Sequence, residues 1–518
     1  MRKQAAALAL VFALALACGD ASSPSDQPAP ITIDLGLAAF FYGADVEDSA
    51  GAVAAGDFNG DGEMDVLLAA GLGDGPDNAR PDSGEAYVFL GPFHPGSSGD
   101  ARLGDQALTV YGEAAGDQLG RATAAGDLNG DGVDDILLGA PFADGDAPAL
   151  TDTGRVYAIF GGRGLGEERG ELDLAADPAN LTVTGESREE LVGFSLAAAD
   201  VTGDGLDDLI VGALWGNGPQ GDRHHSGRAY VVFGSESLSG QRDFGTGGQD
   251  VIAYGAGEDD RIGQGVAAGD VNGDGRADLV LAGTFADSLN GQDAAGQTYV
   301  IFSPLPPLID IAAGDQSVTV YGVDAGDQFG HVVATGDVNG DGSDDLFLAA
   351  VSADGEGNAL DLAGEAALVL GGPGLPDSLD LAAGEATALI YGAHRTDRLG
   401  RSAAVGDLDG DGLADLLIAA AGGDGDDGRR VDSGELFVLL ATSGLEGVFM
   451  LPDRALVFQG VNAGDKLGSE VFGRMPLVTA DMDGDRRDEA LVAAPRADGP
   501  DGDRRDSGEA YIVFMPSR

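Results

Sequence analysis

A nine-residue acidic loop recurs seven times along the chain, at intervals of 70, 73, 70, 67, 70 and 74 residues. Its first copy reads Asp57-Phe-Asn-Gly-Asp-Gly-Glu-Met-Asp65 and its last Asp481-Met-Asp-Gly-Asp-Arg-Arg-Asp-Glu489. A fixed period constrains architecture more tightly than length does, because each repeat is one small unit that buries its apolar face against the next. The 518 residues are therefore not divided into ordinary domains by length.

The flanks repeat with the loop and read as strands. A run of small residues precedes it, such as Arg121-Ala-Thr-Ala-Ala-Gly126, and an apolar run follows, such as Ile136-Leu-Leu-Gly139. Short, continuous apolar runs suit strands covered on both faces. After a polar loop a glycine opens a third strand, at Gly84, Gly154, Gly227, Gly296, Gly364, Gly434 and Gly508. An aromatic stands three residues on at Tyr87, Tyr157, Tyr230, Tyr299, Phe437 and Tyr511, with Ala367 the exception. A fourth strand closes on pairs such as Tyr111-Gly112 and Tyr391-Gly392. This pattern predicts an all-β fold, a seven-bladed β-propeller with four-stranded blades. The chain ends on a third strand, and Ala39-Phe-Phe-Tyr-Gly43 near its start matches the fourth-strand pattern. The N-terminal strand is expected to complete the last blade and close the ring, which removes free sheet edges.

The loops themselves predict calcium. Positions 1, 3, 5 and 9 carry oxygen side chains and position 7 offers a backbone carbonyl, most of the six to eight oxygens that calcium takes. The candidate ligands are Asp57, Asn59, Asp61, Glu63 and Asp65 in loop one, and Asp127, Asn129, Asp131, Val133 and Asp135 in loop two. Loop three offers Asp200, Thr202, Asp204, Leu206 and Asp208, and loop four Asp270, Asn272, Asp274, Arg276 and Asp278. Loop five offers Asp337, Asn339, Asp341, Ser343 and Asp345, and loop six Asp407, Asp409, Asp411, Leu413 and Asp415. Loop seven offers Asp481, Asp483, Asp485, Arg487 and Glu489, so up to seven ions are expected. A single such run also reads as a hairpin turn. Seven copies that keep an acid at position 9 favour metal. An EF-hand would place a glutamate at position 12; here that position is apolar, from Leu68 to Val492. Zinc would ask for Cys or His. Loop three, with the neutral Thr202, and loop seven, with Arg486 in place of glycine, depart from the pattern.

Charge agrees with this reading. The formal net charge is -60, with 88 acidic residues against 28 Lys and Arg. Acid on that scale argues against nucleic acid, whose phosphates it would repel.

The N-terminus reads as an export signal. Arg2 and Lys3 precede an apolar run over residues 5–17, too short to span a bilayer. Ala15-Leu16-Ala17-Cys18 resembles the lipobox of bacterial lipoproteins, and Cys18 is the only cysteine. Residues 1–17 are expected to be the signal peptide, 18–31 a lipidated cysteine with a flexible tether, and 32–518 the propeller. Ala15 departs from the usual branched residue of a lipobox, so ordinary cleavage without lipid stays open. With one cysteine no intrachain disulfide can form.

The repeats resemble the FG-GAP repeat of integrin alpha subunits. Leu119-Gly120, Ile262-Gly263, Phe329-Gly330, Leu399-Gly400 and Leu467-Gly468 stand at the Phe-Gly place, and Gly139-Ala140-Pro141 fits the second half. The resemblance implies calcium loops on one face of the ring and a ligand face opposite, whose loops carry Arg80, Arg223, Arg429, Arg430, Arg504 and Arg505. It implies an adhesion or ligand-binding module, which the export signal is expected to send to the bacterial cell envelope, held to the membrane by its lipid alone. Its expected partner is an extracellular or envelope protein or glycan, and it is expected not to be an enzyme. The alternatives are a lyase or phospholipase that uses a propeller cleft, and a scaffold without a specific ligand. Five histidines form no spaced ligand set.

Overall fold

The computed structural model describes residues 31–32 and 38–515, except 166–169, 426–427, 442–444, 470–475 and 501. The export signal and Cys18 lie outside the described residues. The described residues form seven sheets around one axis, a seven-bladed β-propeller. In blade one the strands run outward as Ala52–Gly56, Asp65–Ala70, Glu85–Phe89 and Leu108–Tyr111. Each is antiparallel to the last, so that Val53, Leu68, Tyr87 and Thr109 stand in one row.

Each element follows from its surroundings. The second strand of every blade is buried along its whole length, because both its faces meet a neighbouring blade. That explains its continuous apolar run. The innermost strands use Ala and Gly because they crowd around the axis: a Cβ on Gly126 would lie 2.7 Å from Cβ of Ala198 in the next blade. Gly84, which opens the third strand at φ 87°, approaches the next blade so closely that a Cβ would fall 2.1 Å from the Leu119 carbonyl oxygen. The third-strand glycine and the Phe-Gly place are thus two sides of one contact. The apolar side chains gather in seven clusters, each drawn from two adjacent blades.

The blades differ from expectation in one respect: they carry five strands, not four. The outermost strand runs parallel to the fourth and comes from the following blade. Glu171–Asp173, in the connection between third and fourth strands of blade two, pairs with Leu108–Tyr111 of blade one. The loan repeats around the ring. These strands are two to four residues long, too short for alternation to register in the sequence. Closure follows the same rule. Ala38–Tyr42 pairs with Glu509–Val513 and completes blade seven, with Ser98–Asp100 outside it. Ile31–Thr32 pairs with Leu456–Gln459 and supplies the outer strand of blade six.

Arginines expected on a ligand face lock these loans in place. Arg504 donates from Nη1 to the Gly43 carbonyl at 2.8 Å and grips both oxygens of Asp100 at 2.7 and 2.6 Å. Arg223 does the same toward Gly255 and Asp310, and Arg80 donates to the Gly112 carbonyl and to one oxygen of Asp173. Arg430 donates to the Gly460 carbonyl and Gln459. Arg505 pairs with Glu47 at the surface.

The same face holds carboxylates whose charge burial opposes. The third strand opens on Arg155 and Arg228 in blades two and three, where they meet Glu113 at 2.7 Å and Glu190 at 2.9 Å. In blades one and five the same place is Glu85 and Glu365. Burial, then Asp327, Asp324 and Asp354, push Glu365 up to about 8. Burial, then Glu85, Asp45, Asp74 and Asp82, push Asp48 up to about 8. Glu365 Oε2 and Asp48 Oδ2 are buried without a hydrogen-bond partner.

Two outcomes are expected. Arg504→Ala leaves Asp100 buried and unpaired and should cost about 3–5 kcal/mol in denaturant unfolding; Arg505→Ala, at an exposed pair, should cost about 0–1 kcal/mol. Equal losses would dissociate Arg504 from ring closure. Glu365 has a folded pKa raised above its unfolded value, so its contribution is present below about 4.5 and lost as pH rises through about 8. Parallel melts at low and high pH should therefore show Glu365→Gln gaining on the parent chain as pH rises, and a constant difference would contradict the shift.

Candidate metal centres on the acidic-loop face

Each acidic loop joins the innermost strand to the second, which places all seven on one face of the ring. The turn is built by its own first carboxylate. Asp127 Oδ1 accepts the N–H of Gly130 at 2.7 Å and of Asp131 at 3.2 Å, and Oδ2 accepts that of Gly132 at 2.8 Å. Asp131 in turn accepts the Val133 N–H at 3.0 Å. The glycines at positions 4 and 6 have φ of 75° and 81° in this loop, the left-handed region that a glycine adopts without strain.

Position 9 begins the second strand and faces inward. Asp65, Asp135, Asp208, Asp278 and Asp415 are fully buried, and Asp345 and Glu489 nearly so. Asp415 accepts the Leu408 N–H at 3.0 Å and the Ala441 N–H at 2.6 Å, which bind the loop to the end of the third strand. Burial still dominates: it raises Asp415 to about 7, with Asp411 and Asp407 adding to the rise. Asp65 and Asp135 reach about 7 by the same cause and Glu489 about 8.

Position 3 divides the loops. Asn129 donates from Nδ2 to Asp135 at 3.1 Å and Asn272 to Asp278 at 3.2 and 3.1 Å, so each amide partly satisfies the buried acid. Loops six and seven carry aspartate there. Asp407, Asp409 and Asp415 bring carboxylate oxygens within 4.8 Å of one another, as do Asp481, Asp483 and Glu489. Like charges this close repel by roughly 4 kcal/mol at an effective dielectric of about 20, which a divalent cation reverses. These residues fit a hard cation with oxygen ligands.

The irregular loops resolve differently. Loop seven, with Arg486 at φ 72°, brings three acids together. Its Asp485 is engaged by Arg487 at 3.2 and 3.0 Å, which holds that carboxyl below its usual range. In loop three the Thr202 hydroxyl donates to Asp200 at 3.2 Å, and Arg276 of loop four reaches the Thr202 carbonyl at 3.2 Å.

Position 8 was given no role by the sequence pattern and has one. The N–H of Asp134 donates to the Asp57 carbonyl of the preceding loop at 3.1 Å, and Asp134 Oδ2 accepts the Asp57 N–H at 2.8 Å. Asp207, Asp344 and Asp488 form the same two-way clasp onto Asp127, Asp270 and Asp407. Ala277 and Ala414 keep only the backbone half. The signal lay in the sequence as an aspartate at position 8 of four loops.

With this geometry in view, the FG-GAP repeat pattern matches residues 49–89, 119–159, 192–232, 262–301 and 399–439. Blades five and seven, which it does not match, hold the departures at Ala367 and Arg486. The chain is 32% identical over 239 residues to integrin alpha pat-2 of Caenorhabditis briggsae, covering 44% of this chain and 17% of that protein. It is 32% identical over 201 residues to phosphatidylinositol-glycan-specific phospholipase D of Bos taurus, covering 38% and 22%. The chain thus spans about a fifth of the length of these relatives. A solved rhamnogalacturonan lyase, YesW, aligns at 13% identity and a TM-score of 0.44, over 95% of this chain and 75% of that one. The phospholipase kinship corrects the expectation of a non-enzymatic chain, because these repeats also occur in a protein named for a catalytic activity. Five of the seven blades thus match the FG-GAP repeat pattern, and the described residues fold as a seven-bladed β-propeller similar in sequence to part of an integrin alpha chain.

Proposed function

We propose that the ring is a calcium-loaded binding module of the cell envelope, which presents the face opposite its acidic loops to an extracellular protein or glycan. The convergence of Asp407, Asp409 and Asp415, and of Asp481, Asp483 and Glu489, carries the calcium reading. Asp411 and the Leu413 carbonyl would complete the set in loop six. Calcium supplies charge and rigidity here; this reading holds for an adhesion module and for an enzyme alike. Residues 1–17 are taken as the leader and Cys18 as the point of lipid attachment. Among the described residues no helix is long and apolar enough to cross a membrane.

Binding to the native state stabilises it by mass action, about 2.7 kcal/mol per site at a hundredfold excess over Kd. Chelation with EDTA should lower the melting temperature, and millimolar calcium should restore it better than magnesium. Asp411→Ala should remove one calcium from the stoichiometry read by calorimetry. Asp485→Ala, whose carboxylate Arg487 already holds, should change uptake less. A melt indifferent to chelator would return the loops to simple turns. Labelled palmitate should enter the parent protein and be lost in Cys18→Ser; equal labelling of both, or of neither, would exclude the lipid anchor.

A further inference from the structure

The face opposite the acidic loops holds a cavity of about 750 Å³ across blades six, seven and one. Small-ligand sites run to roughly 300–1,000 Å³, so it has room for a few sugar rings. Its wall is unusual for this chain. Arg398, Lys466 and Arg496 line it, in a protein with 28 Lys and Arg against 88 acids, and Lys466 is the only lysine beyond Lys3. Arg80, Arg155, Arg223, Arg228 and Arg504 on the same face are each paired with a carboxylate. Among the described residues no carboxylate pairs with Arg398, Lys466 or Arg496. Of the acids at the cavity, Glu47 pairs with Arg505, Asp506 lies 3.9 Å from the same guanidinium, and Asp432 remains. Among the described residues the cavity therefore keeps a positive excess.

The backbone does not ask for these cations. Arg398 and Lys466 have φ of 56° and 57°, and the equivalent residues Ser49, Gln118, Leu191, Arg261 and Gln328 have φ of 53°, 56°, 60°, 58° and 62°. A left-handed position favours glycine or asparagine over a long cation. Arg496 donates its N–H to the Asp465 carbonyl at 3.3 Å, as Trp215 does to Glu190 and Phe285 to Asp260. The place that holds an aromatic in blades three and four holds a guanidinium here.

We propose that this cavity binds a carboxylated oligosaccharide, with Arg398, Lys466 and Arg496 on its carboxylates. Ser49 and Thr396 offer hydroxyls to a ligand rich in hydroxyls. An acidic peptide is the competing occupant, and the test sets it directly against the sugar. The proposal names the ligand class for the binding module above and is independent of whether its loops hold calcium.

The test is calorimetric titration of the full chain with trigalacturonate, with calcium equal in cell and syringe. The controls are a neutral trisaccharide, inorganic phosphate and a tetra-aspartate peptide. Trigalacturonate should bind in preference to all three and weaken with added salt. The double variant Arg398→Ala, Lys466→Ala should bind at least about tenfold more weakly at an unchanged melting temperature, while Arg188→Ala, at an exposed pair outside the cavity, binds as the parent does. Equal binding of the neutral sugar, tighter binding of phosphate or peptide, no binding at all, or uronate binding untouched by the double variant would each overturn the proposal. A chelator-sensitive melt beside any of these results would leave the calcium reading standing.

Discussion

No blade of this ring has a core of its own. Its sheets bury both faces only by lying against their neighbours, and each hydrophobic cluster belongs to two blades. Burial is worth about 25 cal/mol per Å² of apolar surface, and here it is available only to blades that are already side by side. The period of the sequence, the small residues near the axis and the glycines at the third strand all answer to that need. So does closure, since an open arc would leave one apolar face of each terminal blade in water.

Charge is distributed against this frame in two ways. On one face the acids are concentrated within loops, and position 8 then ties each cluster to the next. Asp134, Asp207, Asp344 and Asp488 hold the backbone of the residue that organises the preceding turn. Loops one to three, four and five, and six and seven are thereby joined by two-way clasps, with weaker joints at Ala277 and Ala414. On the other face buried acids gather between the roots of the third strands and the loops that enter each blade. Where Arg155 and Arg228 do not neutralise them, burial raises Glu365 and Asp48 instead.

The strands, their order and the closing segment were legible because they depend on local pattern: an apolar run, a glycine, an aromatic three residues on. The acidic loops were legible for the same reason, each nine residues long. What escaped depends on distant partners. Arg80 finds Asp173 across 93 positions, and Asp57 finds Asp134 across 77. A lone arginine in a loop shows no partner until the fold is placed, and Arg223 and Arg504 then hold Asp310 and Asp100. The outer strands escaped because a segment such as Glu171-Leu172-Asp173 is shorter than any pattern that could announce it. A phospholipase stood among the alternatives read from the repeats, and it was placed second because the repeats carry no catalytic signature.

The borrowed outer strand has a consequence for how such a ring could change its copy number. Because every blade lends one strand backward and receives one from ahead, a whole period cut from the middle of the chain removes one lender and one borrower together. The blades on either side of the cut then find the same partners in each other, strand for strand. Only the two segments at the N-terminus, Ile31–Thr32 and Ala38–Tyr42, are tied to a particular place in the chain. What resists a six- or eight-bladed descendant is therefore the angle between neighbouring blades and not the pairing of strands, and gain or loss of interior repeats leaves the hydrogen-bonded plan of the sheets intact.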